Sequence, residues 1–197
     1  GTSPCDETYQ GPSAASESET VFIQEVVRSL FPDQRGPLDD DPAPADYQGL
    51  FITLHSYSEL VLFPYGWGYA QAPNHTALQT LARKMAYFNR YTPQKSSALY
   101  PASGTTDDWA YGELGLPAYT FEMGTSFFQG CASFESSIWP GNRAALLAAF
   151  KAARRPYQSP AGPEVLNPQL TPANPLPAVS LNLTANADDK RYENSGG

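Results

Sequence analysis

Cationic side chains are scarce in this sequence. Lysine and arginine together number 12 against 20 aspartates and glutamates, and the net charge is −8. Binding nucleic acid requires clustered cations that displace counterions from phosphates. The densest basic stretch, residues 151–155, reads as the end of a helix, so a nucleic-acid partner is excluded. Long apolar runs are also lacking. None nears the roughly 20 residues that a membrane-spanning helix needs, so no membrane partner is expected. Histidine is confined to His55 and His75, which leaves little for a metal site built on imidazoles. No secretory leader is recognisable and the first residue is Gly1, so a processed or excised chain is expected.

What is present is apolar, aromatic and rich in turns. Hydrophobic residues make up 41% of the 197 positions, enough to bury a core, and 12 tyrosines offer rings with polar tips. The 19 prolines and 15 glycines predict many loops. Two cysteines, Cys5 and Cys131, with an acidic, lysine-poor composition, point towards an extracellular or periplasmic protein. Asn74-His75-Thr76 and Asn182-Leu183-Thr184 match the glycosylation sequon, a pattern common by chance.

Along the chain, Ser16 and Glu19 read as a capping box. Val21, Phe22, Val26, Val27 and Leu30 follow at helical spacing until Pro32 stops the helix. Residues 32–47, with several prolines and Asp39–Asp41, read as a solvated connection. Leu50–Leu54 is an apolar run of buried-strand type ending at His55, and a second run covers Leu60–Phe63. A helix from Thr76 carries Leu78, Leu81, Ala82, Met85 and Phe88 on one face. Residues 92–105 read as loop, Thr106–Glu113 as one or two helical turns, and Ala118–Met123 as a third strand containing Glu122. Asn142–Arg154 is an Ala/Leu helix closed by Pro156. Strands alternating with helices define an α/β chain over residues 1–157. Chemistry in such sheets gathers at the carboxyl ends of strands, where His55 and Glu122 both fall. Residues 158–178 read as a Pro-rich linker, and 179–197 as the opening strand of a following β-domain.

Four segments together carry a resemblance. His55-Ser56-Tyr57-Ser58-Glu59-Leu60 with Phe63-Pro64-Tyr65-Gly66 resembles the stretch around the last metal ligand of the zinc carboxypeptidases. Tyr100–Tyr111 resembles that family's substrate-capping loop, Tyr119-Thr120-Phe121-Glu122 its catalytic-glutamate strand, and Pro4–Tyr9 the loop after its carboxylate-binding residues. They occur in family order across residues 4–155 and look like the bacterial version. The resemblance implies a mixed β-sheet flanked by helices, truncated on its N-terminal side. It implies His55 as a Zn2+ ligand, Glu122 as the general base, Tyr100 as a cap over the substrate, Ser56 and Tyr57 as an outer subsite, and Asp107 as the specificity position. Lys95, if it reached the pocket, would neutralise Asp107; alternatively Asp107 and Asp108 cap the helix after Thr105.

The resemblance also implies cis peptide bonds at Ser56–Tyr57 and Pro64–Tyr65. It brings the loops of Cys5 and Cys131 towards one rim, where they could pair, the alternative being a cysteine upstream. Family zinc takes two His and one Glu. The His-x-x-Glu motif and the paired Asn-Arg for the substrate carboxylate are missing here, so the chain alone should bind zinc poorly and hydrolyse nothing. The implied activity is removal of C-terminal residues from peptides or proteins, with the N-terminal half of the domain as a partner. A non-catalytic peptide- or surface-binding module and a cell-wall peptide-cleaving peptidase stay open as alternatives.

Overall fold

The computed structural model describes residues 3–7, 9–158, 164–171 and 182–188. A four-stranded sheet organises the chain. Its strands are β1 (Phe51–His55), β2 (Leu60–Phe63), β3 (Thr92–Lys95) and β4 (Ala118–Glu122), in the order β1-β4-β2-β3. β4 runs parallel to β1 and antiparallel to β2, and β2 runs parallel to β3, so the sheet is mixed. β4 lies inside the sheet and residues 118–121 are all buried, which suits its apolar run. β1 was expected to be buried, but it forms an edge and Leu54 is 47% exposed. Among the described residues no strand covers its outer side.

Helices α1 (Ser18–Leu30), α2 (His75–Asn89), α3 (Thr106–Leu114) and α5 (Trp139–Ala152) accompany the sheet. A three-residue turn, α4 (Cys131–Ser133), leads into α5 through a π-helical segment, Phe134–Ile138, so this helical stretch begins before the expected Asn142. The spacing of Leu78, Leu81, Ala82 and Met85 does what it predicts: all four are buried, with Phe88 packed at the margin. α1 departs from expectation twice. Ser16 donates its hydroxyl to Glu17 instead of capping, and the helix starts at Ser18 with no side-chain cap. Only Val27 is buried, while Phe22 (63%) and Leu30 (66%) stand in solvent. An Arg28–Glu113 ion pair at 2.9 Å ties α1 to α3, but both groups are half-exposed, which limits such a pair to about 1 kcal/mol or less.

The connection at 32–47 is better anchored than its composition suggests. Ala43 and Tyr47 are buried, and Tyr47 donates to the Pro32 carbonyl. Asn74 accepts from the Ala43 N–H and the Tyr111 hydroxyl, and donates to the Ala43 carbonyl. The Asn74 sequon amide is therefore already engaged inside the fold. Further on, β5 (Glu164–Thr171) lies within the stretch read as a linker. It pairs antiparallel with β6 (Asn182–Asp188), which overlaps the expected strand. Positions 179–181 and 189–197 lie outside the described residues.

Candidate active site

The sheet register puts His55 directly beside Glu122, and Leu60 of β2 opposite Glu122 on its other side. Strand alternation turns Thr53 with His55, and Thr120 with Glu122, towards one cavity of about 330 Å³. Leu62, Ser96, Leu99, Tyr100 and the 104–107 segment complete its wall. Of the six residues singled out from the sequence, His55, Glu122, Tyr100 and Asp107 thus meet in one space. Tyr100 stands at its mouth, exposed. Burial raises the Glu122 carboxyl above its ordinary range, and the neighbouring His55 charge pulls it back. The His55 ring is exposed and its Nε2 lies 3.1 Å from the Thr53 hydroxyl.

Ser56 and Tyr57 do not line this cavity. Ser56 borders a second groove of about 470 Å³ that shares His55 and is walled by Leu54, Met123, Phe127, Phe128, Phe134 and Ile138. The Ser56 hydroxyl donates to the Phe127 carbonyl at 3.3 Å, and the Tyr57 ring meets the Phe127 ring edge-on at 5.0 Å. The two peptide bonds in question, Ser56–Tyr57 and Pro64–Tyr65, are both cis.

The two adjacent aspartates differ in what they touch. Asp107 is 2% exposed and its Oδ2 lies 3.1 Å from the Ser96 hydroxyl, which also approaches the Phe63 carbonyl. Asp108 accepts the backbone N–H groups of Gly66 and Trp67 at 2.8–2.9 Å, pinning the loop after β2 to α3. Its carboxyl is pushed up to about 6, chiefly by burial; the Gly66 amide opposes this and the Asp107 charge adds to it. Neither aspartate makes a side-chain cap on α3, whose N-cap position, Thr105, has none. Lys95 does not neutralise Asp107: its ammonium is spent on the Tyr69 and Ala70 carbonyls.

Cys5 and Cys131 are both exposed and free, so of the two pairings left open the one between them is not formed; Cys131 instead borders the aromatic groove. His75 packs its ring against Phe63, and burial lowers its pKa. Among the described residues no three His, Cys, Asp or Glu converge as a metal site. The chain therefore offers one imidazole with a carboxylate beside it, which does not make a catalytic zinc site of the usual three protein ligands.

Reading from the sequence missed Ser96, Thr120 and the Phe127–Phe128–Phe134 wall. Period-two alternation would have found Thr53 and Thr120, each two residues before a chosen residue. Nothing local marks Ser96, which reaches the cavity through an unrecognised strand.

Comparison with known proteins accords with this geometry. The profile described as zinc carboxypeptidase matches residues 1–145. Carboxypeptidase B of Canis lupus familiaris is 34% identical over 158 residues, covering 77% of this chain and 35% of the dog protein. A zinc carboxypeptidase of Simulium vittatum is 39% identical over 133 residues, covering 62% of this chain and 39% of its own length. Among solved structures, thrombin-activatable fibrinolysis inhibitor superposes with a TM-score of 0.64 at 25% identity, over 78% of this chain and 38% of the other. The chain belongs to the zinc carboxypeptidase family. It spans little more than a third of the length of these relatives. No helix among the described residues is long and apolar enough to cross a membrane.

Proposed function

We propose that this chain is the C-terminal half of the catalytic domain of a secreted zinc carboxypeptidase that removes C-terminal residues from peptides. The observation that carries the reading is the register pair His55–Glu122 opening on one cavity with Tyr100 and Asp107. His55 would supply one metal ligand, and the others must come from outside this chain. Zinc, when bound, lowers the pKa of a water towards neutrality and polarises a carbonyl. Glu122 would accept the attacking water's proton and deliver it to the leaving amine, work for which a carboxylate held above its ordinary pKa is suited. Tyr100, free at the mouth, would donate a hydrogen bond to bound substrate. Asp107, buried and left un-neutralised by Lys95, favours a cationic terminal side chain, because a buried carboxylate demands a paired charge. Ser56, Tyr57 and the aromatic groove would take residues upstream of the scissile bond.

The test is a comparison of variants of the complete catalytic domain on peptides ending in Lys, Phe and Asp. Glu122→Gln should keep its zinc and lose about 10²–10⁴-fold in kcat or more. His55→Ala should lose metal. Asp107→Asn should lower kcat/KM for the Lys-ended peptide by about 10²-fold while sparing the Phe-ended one. Activity of Glu122→Gln within a few-fold of the parent would sink the reading.

A further inference from the structure

Between the end of α2 and α5 lies a closed ring of buried hydrogen bonds that the proposed chemistry does not use. The Tyr91 N–H donates to Asn89 Oδ1 at 3.1 Å, Asn89 Nδ2 donates to Asn142 Oδ1 at 3.2 Å, and Asn142 Nδ2 donates to the Tyr91 hydroxyl oxygen at 2.8 Å. Asn142 also donates to the Ile138 carbonyl, so both of its amide hydrogens are used. All three side chains are buried, Asn142 completely. The ring joins the end of α2 to α5, which approach so closely that a Cβ on Gly141 would sit 3.2 Å from Asn89 Cα. Arg90, between the two ring members, takes the left-handed conformation that brings Tyr91 back towards Asn89.

Besides the bond from Asn142 to Ile138, one bond from the ring goes towards the site. The N–H of Gly124 donates to the Tyr91 hydroxyl oxygen at 3.0 Å. Gly124 is two residues beyond Glu122, and its carbonyl accepts from the Ser58 N–H, three residues beyond His55. The Met123 N–H donates to the His55 carbonyl, and the Thr92 N–H to that of Glu59. Both strand exits, one after His55 and one after Glu122, are thereby strapped to each other and to residues 91–92. With two donors aimed at it, the Tyr91 oxygen is committed as an acceptor. Gly124 itself has φ +75°, and a side chain there would strike Gln129, so the bond depends on this backbone shape.

We infer that Tyr91, oriented by Asn142, is a positioning residue for Glu122. By holding Gly124 it fixes the end of β4 against the His55 turn, and so the direction in which the Glu122 carboxylate enters the cavity. This rests on the carboxypeptidase reading for its kinetic part. A small misplacement of a general base costs rate without costing substrate binding.

The test uses the complete catalytic domain with Tyr91→Phe, which keeps the aromatic side chain but removes the acceptor hydroxyl and so opens the hydrogen-bond ring. The expected results are a fall in kcat of about tenfold or more, KM within about twofold, and unchanged zinc content. Amide exchange at Gly124 should accelerate about tenfold while β2 amides stay protected. Leu81→Ala, a fully buried change in α2 away from the straps, serves as the stability control and should leave kcat unchanged at a temperature where it is folded. Asn142→Leu, for use if Tyr91→Phe does not fold, should show the same split to a smaller degree. Equal kcat losses in Tyr91→Phe and Leu81→Ala, or unchanged kcat in Tyr91→Phe, would overturn the inference. An inactive parent would instead overturn the carboxypeptidase reading, and the Gly124 exchange would then still decide whether Tyr91 holds that segment.

Discussion

Two neighbouring aspartates show how finely residue identity and environment divide labour. Asp107 faces the cavity, whereas Asp108 turns back to bind two backbone amides of the loop after β2. Composition cannot separate them, because both read equally as helix-capping acids. Their burial separates them from a solvated pair and has a consequence for pH. The Asp108 carboxyl rises from 3.8 to about 6 in the folded chain. Between those values the folded state holds a proton that the unfolded chain has lost. The contribution of Asp108 to stability is therefore fully present below about pH 4 and lost as pH rises through about 6, by about 1–3 kcal/mol. Urea midpoints measured from pH 4 to 7 should show a shallower decline in Asp108→Asn than in the parent. Identical slopes would mean that Asp108 does not titrate in this window.

Elements were legible where apolar periodicity coincided with burial. β2, β4 and the face of α2 follow from their sequences because each packs on a neighbour within this chain. β3 was hidden: Thr92-Pro93-Gln94-Lys95 has no apolar alternation and contains a proline. It forms a strand as the far edge of the sheet, pairing only with β2, where a missing N–H is tolerated. α1 failed in the opposite sense. Its apolar stripe is real, yet Phe22 (63%), Leu30 (66%) and Val26 (39%) remain exposed. If the N-terminal half of the domain belongs on that stripe, Phe22→Ser with Leu30→Ser should cost this chain alone less than about 0.5 kcal/mol, as exposed positions do. The same pair should cost the complete domain about 2 kcal/mol or more, as lost apolar burial does. Denaturant midpoints of both forms decide this, and equal costs would leave the stripe without that partner.

At the scale of the whole molecule, an uncovered strand edge accompanies exposed apolar side chains. The outer side of β1 has no described partner strand, and Leu54, the α1 stripe, Leu147 and Phe150 add apolar exposure. Unpaired strand edges and contiguous apolar patches promote association. This chain alone should therefore sediment as oligomers at micromolar concentration and bind little zinc. A monomer with a sharp, reversible thermal transition would contradict this. The convergence of His55, Glu122, Tyr100 and Asp107 on one cavity was legible from sequence because their motifs are local to strand ends and the loops beside them.

The strand order carries a further consequence, for the order of events as the chain folds. β1 and β2 are separated by only four residues, yet they never pair, because β4 lies between them. During synthesis they emerge together, long before β4, so a hairpin between them would close the shortest connection between strands of this sheet. Such a hairpin is absent from the folded sheet and would have to open before β4 could enter. His55 and Glu122 meet only at that insertion, so the geometry on which any chemistry depends arises late, through a long-range contact of the kind that slows folding. A pause in translation after β4 would then matter more to the recovery of active protein than one after β2.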